Sequence, residues 1–106
     1  MSPRTTTDDR GMAVIVTAHV LEAIHDLGVT QNALERKAQF KSGRLSRFMN
    51  GRRVAVPLGF LAKLAAACGS NPSRMLSVPS DPKFQRFLAL ARRRHSTSGH
   101  RRLPAA

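Results

Sequence analysis

The sequence predicts an all-α protein: a compact five-helix bundle followed by one extra helix and a basic tail. Three observations predict it. Apolar residues recur at helical spacing in successive segments, as in Leu34 and Ala38, Leu45 and Phe48, and Leu58, Leu61 and Leu64. Glycine closes one segment after another, at Gly28, Gly51 and Gly69. Residues suited to opening a helix precede the segments: Thr30, Ser42, Pro57, and Ser70 or Asn71.

The first helix spans residues 11–27, with Val14, Ala18, Leu21, Ile24 and Leu27 on one stripe that Ile15 and Val20 widen enough to pack on two partners. His19, Glu22 and Asp26 fall on or near its polar side. Residues 1–10, rich in Thr and charge, carry nothing that could pack and are expected to form a disordered arm. The second helix runs from the Thr30 cap to Ala38, with Leu34 inside. Phe40 is the plug of a tight turn, and Ser42 caps a third helix that ends at Asn50 and Gly51. Helices this short are marginal alone, so the pair must be covered by the rest of a bundle. Pro57 opens the fourth helix, whose stripe is Leu58, Leu61, Leu64, Ala65 and Cys68; a short fifth contains Met75 and Leu76. The main domain is thus placed at 11–78 and a C-terminal helix at 79–95, with Phe84, Phe87, Leu88 and Ala91 on its apolar face. That face either packs back on the bundle or forms, together with the fifth helix, the seam of a homodimer, or else a partner contact. Residues 96–106 read as a disordered basic tail.

Charge points outward from the fold. Lys and Arg number 18 against 6 Asp and Glu, a net charge of +12, and the pI is near 11.9. Such a balance suits a polyanion: nucleic acid first, an anionic membrane surface second, with a merely solvated basic face as the alternative. The single cysteine, Cys68, excludes an internal disulfide and fits a reducing cytoplasm. No apolar run approaches the ~18 residues of a membrane span, and residues 1–10 lack the apolar stretch of a secretion signal. The chain therefore reads as soluble and cytoplasmic. His19 with His25, and His95 with His100, are wrongly spaced to share one helix face, so no metal site is expected. No Ser, His and Asp set and no Gly-rich phosphate loop is recognisable. Neither catalysis nor a cofactor is expected.

The order Leu-Gly-Val-Thr-Gln, Leu34, Leu-Ser-Arg-Phe, Asn-Gly, then a Pro-initiated Leu-rich helix closed by Cys-Gly-Ser-Asn-Pro-Ser-Arg-Met-Leu, resembles the Cro and phage-repressor family (lambda-repressor-like, XRE-type) of helix-turn-helix domains. The likeness covers about half the chain, from Leu27 to Leu76. It implies a five-helix DNA-binding domain, usually a dimer on two half-sites, in prokaryotic or phage regulators and toxin-antitoxin systems, and so a nucleoid-associated protein. Two positions depart from the pattern. Gln39 stands where glycine is usual, which implies a left-handed backbone there at a cost of about 1 kcal/mol. Glu35 stands where alanine is usual, and is expected to reach the edge and pair with a basic neighbour such as Arg47.

In such a domain the third helix enters the major groove and the second lies across the backbone. Ser42, Gly43, Arg44 and Arg47 are then the base-contacting candidates, the arginines through N7 and O6 of guanine. Gln31, Lys37, Lys41, Asn50, Arg52 and Arg53 are the phosphate-contacting ones. Arg92, Arg93 and Arg94, with Arg101 and Arg102, read either as a flexible electrostatic arm for phosphate or as a solvated tail. The expected function is sequence-specific binding of double-stranded DNA as a small transcriptional regulator. Alternatives are an antitoxin with the same fold, gripping its toxin through the C-terminal helix, and a non-specific nucleic-acid packer.

Overall fold

Six helices follow one another among the described residues: α1 (Pro3–Leu27), α2 (Gln31–Lys37), α3 (Arg44–Met49), α4 (Leu58–Ala67), α5 (Pro72–Met75) and α6 (Pro82–His100). The structure, a computed structural model, describes residues 3–100, with side chains from 11 to 96. Local chemistry sets most of the boundaries. Thr30 Oγ1 accepts the Ala33 N–H at 3.0 Å and Asn71 Oδ1 accepts the Arg74 N–H at 3.0 Å, each satisfying a donor with no partner inside its helix. Pro72 occupies the first turn of α5, where its missing N–H costs nothing. At the other ends Gly28, Gly51 and Gly69 adopt positive φ.

Both terminal helices exceed the sequence expectation. α1 already includes the backbone of residues 3–10, where an arm was expected; Pro3 at its first position forfeits no hydrogen bond. α6 continues to His100, past the expected end near residue 95. Residues 1–2 and 101–106, with the remainder of the expected arm and tail, lie outside the described residues.

α1 divides its apolar surface between two partners, as its wide stripe predicts. Ala13, Val16 and Val20 enter the main core with Leu34, Leu45, Phe48, Met49, Leu64 and Met75. Ala18, flanked by Val14, Ile15 and Leu21, packs instead on Phe84, Leu88 and Ala91 of α6. Burying an apolar side chain of this size stabilises the fold by roughly 1.5–3 kcal/mol. Leu27 and Leu58 are corrections: they are 50% and 74% exposed, each the terminal residue of its helix, where the neighbouring helices no longer cover it.

α6 runs antiparallel to α1. Lys83 pairs with Asp26 at 2.7 Å near one end, and His95 meets Thr17 at 3.1 Å near the other. The Thr17 hydroxyl donates to Ala13 O at 2.8 Å, so it accepts from His95 Nε2–H. Between them His19 lies against Phe84, ring centroids 4.5 Å apart, and donates through Nε2 to Ser77 O at 2.8 Å. The apolar face of α6 is therefore packed on its own chain, which resolves one of the two alternatives that the sequence left open.

Candidate nucleic-acid interface

The turn between α2 and α3 is built from two left-handed residues and a buried carboxylate. Gln39 has φ 63°, the conformation expected of it, and lets the Phe40 N–H return to Glu35 O at 3.1 Å. Phe40 then stacks on Phe60 of α4, centroids 4.8 Å apart, which seats the turn on the bundle. The cap of α3 differs from expectation. Ser42 is exposed and precedes the cap residue, Gly43, which sits at φ 85° and has no side chain to offer. Glu35 supplies what is missing. Its carboxylate, buried between α2 and α3, accepts the Leu45 N–H at 2.8 Å in the first turn of α3. An acceptor with negative charge at a helix N-terminus also suits the helix dipole. The expected pairing of Glu35 with Arg47 is thereby replaced by a structural bond.

α3 buries Leu45, Phe48 and Met49, leaving Arg47 exposed on the opposite face. A Cβ on Gly43 would lie 2.9 Å from Arg47 Nη1, so the guanidinium rests over the space that glycine leaves open. Lys41 and Ser42 are exposed before α3; Arg52 and Arg53 are exposed after it; Lys37 is exposed on α2, and Gln31 is partly exposed at its start. Arg53 and Arg47 lie close enough to Arg44 for their charges to act on it, whereas the charge of Lys37 acts on Cys68 at the end of α4.

Two candidates have internal partners. Arg44 is half-buried, its Cζ 4.2 Å from the centroid of Phe60, and its Nη1 is buried with no hydrogen-bond partner among the described residues. Burial, with the nearby charges of Arg53 and Arg47, pulls its pKa below the usual guanidinium range. Asn50, the C-cap of α3, accepts at Oδ1 from Arg94 Nε (3.3 Å) and Nη2 (3.2 Å) of α6, and its Nδ2 donates to Ser46 at 3.4 Å. Sequence reasoning missed Phe60 and Arg94 as neighbours of the site. Phe60 comes from the next helix and Arg94 from α6, 44 residues beyond Asn50, and only the helical phase of α6 distinguishes Arg94 from Arg92 and Arg93.

No group of three His, Cys, Asp or Glu among the described residues is arranged to hold a metal. Cys68, half-buried at the end of α4, has its thiol pushed up to about 11 by burial and stays protonated at neutral pH. No single helix among the described residues is long and apolar enough to cross a membrane.

No curated protein and no solved structure matches the chain significantly. A family model does: the one described as a helix-turn-helix domain, a DNA-binding type, matches residues 10–77, from within α1 past the end of α5. The order of α2, turn and α3 over that range agrees with the Cro-like, XRE-type arrangement, and the chain belongs to this helix-turn-helix family.

Proposed function

We propose that the protein binds double-stranded DNA sequence-specifically and acts as a small transcriptional regulator, with α3 in the major groove. Arg47 carries this reading: it is exposed on the outward face of α3 and held over Gly43, with Lys41 exposed just before the helix and Arg52 and Arg53 exposed just after it. From there its guanidinium reaches N7 and O6 of a guanine, a contact worth roughly 1–3 kcal/mol of discrimination. Ser42 and the Gly43 backbone approach the same bases. Gln31, Lys37, Lys41, Asn50, Arg52 and Arg53 hold phosphates and set the register without reading sequence.

Arg44 joins the readout only by leaving Phe60. The cation–π contact it gives up is worth about 0.5–2 kcal/mol, comparable to a bidentate guanine contact, so the exchange favours sites that place a guanine there. Homodimerisation would supply the second half-site. With the apolar face of α6 engaged on α1, the proposed seam is the α5 flank, where Leu76 and Val78 are exposed. A monomer in sedimentation at high concentration, with and without DNA, would exclude it.

The net charge of +12 favours one competing reading, a packer of any duplex. Selection of bound sites from a random duplex pool, followed by competition with random DNA at physiological salt, separates the two. A regulator keeps a preferred site by a factor of about 10³ or more. A pool that yields no preferred site overturns the regulator.

A further inference from the structure

The family match ends at residue 77, yet α6 reaches the recognition helix from beyond it. Two contacts fix the approach. A Cβ on Gly51 would lie 3.1 Å from His95 Cα, so the α6 backbone itself comes down on the C-terminal end of α3. One residue earlier, Arg94 donates twice to Asn50 Oδ1. This placement is particular to Arg94. Ala91 and His95 are buried against the bundle, while Arg92 and Arg93, a further step of about 100° and 200° around the helix, are exposed and turned from α3.

The partner of Arg94 is an amide oxygen, a neutral acceptor, and no carboxylate pairs with this guanidinium among the described residues. A guanidinium carries five N–H donors, of which this contact uses two. The cation is thus steered to the end of α3 without being neutralised there. Asn50, already a candidate phosphate contact, is its partner, and Arg52, another, follows two residues on in the chain.

The geometry points to Arg94 as a DNA-phosphate ligand contributed by α6, which forms with Asn50 and Arg52 a phosphate seat at the C-terminal end of the recognition helix. The inference rests on the DNA-binding reading above and extends the interface beyond the matched domain. The charge of α6 then acts at one defined place on the duplex.

The test compares Arg94→Ala with Arg93→Ala in the full chain, since each removes one positive charge and only one removes it at α3. Fluorescence anisotropy with a selected duplex is recorded over a series of salt concentrations, and circular dichroism melts follow the fold. For Arg94→Ala the slope of log affinity against log salt flattens by ~0.9, with about five- to tenfold weaker binding at low salt. Arg93→Ala leaves the slope unchanged. Arg94→Lys restores most of the loss, because a phosphate accepts either cation, whereas a residue serving only to orient Asn50 needs the planar fork. Equal effects of Arg94→Ala and Arg93→Ala, or no rescue by lysine, overturn the inference. If Arg94→Ala does not fold, Arg94→Gln takes its place in the same comparison. Should Arg47→Ala and Arg52→Ala weaken binding while Arg94→Ala behaves as Arg93→Ala, this inference alone fails. Absence of duplex binding by the unaltered protein refutes both it and the reading on which it rests.

Discussion

Arg47 lies on α3 and Arg52 past its end, and the two are expected to fail differently. Arg47→Ala should relax base preference at one position of the selected site, at a cost of roughly 1–3 kcal/mol, and leave the other positions as they were. Arg52→Ala should weaken all sequences alike and flatten the salt slope by about one. Binding to a panel of singly substituted duplexes distinguishes the two, and identical profiles would refute the division of roles. Gln39 offers a stability test that avoids the interface. Its φ of 63° is strained for any side chain, while a glycine there adds freedom to the unfolded chain. The strain is the larger, so Gln39→Gly should raise stability by about 0.5–1 kcal/mol in a denaturant melt. The need for a left-handed residue at this position was legible only through the resemblance to the Cro and phage-repressor family, where glycine is usual at this turn. The destination of Arg44 was not, because the ring that holds it belongs to Phe60 and enters from another helix.

At the scale of the element, α3 depends on a carboxylate it does not contain. Gly43 gives the helix its entry angle but no cap, and Glu35 closes the N-terminus from α2. Glu35→Ala should cost about 1–3 kcal/mol, combining a lost cap with a buried N–H left without an acceptor. Glu35→Gln keeps an acceptor and should cost less. Hydrogen exchange at the Leu45 amide is the direct measurement, and unchanged protection in Glu35→Ala would exclude the cap. Helix ends carried by a single residue, such as Thr30, Asn71 and Gly51, were readable from sequence because a cap or a stop acts within a few positions. The cap of α3 was not readable in this way, since it spans ten residues and replaces a local serine with a distant glutamate. The apolar face of α6 showed equally well that it must be covered, while its periodicity carried no sign of what covers it.

Across the whole molecule, the α1–α6 pairing joins the ends of the described chain, and one of its ties titrates. The hydrogen bond from Lys83 holds the Asp26 carboxyl below its usual 3.8, helped by His25; the same bond holds the Lys83 ammonium above its usual 10.5. For Asp26 the folded pKa is the lower one, so its contribution is complete above 3.8 and lost as pH falls through the depressed value. For Lys83 the folded pKa is the higher one, so its contribution is complete below 10.5 and lost as pH rises through the raised value. Asp26→Asn should therefore melt slightly below the unaltered protein between those limits, and the gap should vanish in acid and shrink in high salt. A gap that persists at pH 2 would assign the difference to something other than this pair. The same pairing bears on how the chain can be divided. Phe84, Leu88 and Ala91 roof the outer flank of α1, so a chain cut after the matched region would bare Ala18 and its apolar neighbours to water. Such a fragment would retain α3 yet gain a greasy strip along its longest helix, and the smallest self-sufficient piece of this protein is expected to reach beyond the matched residues.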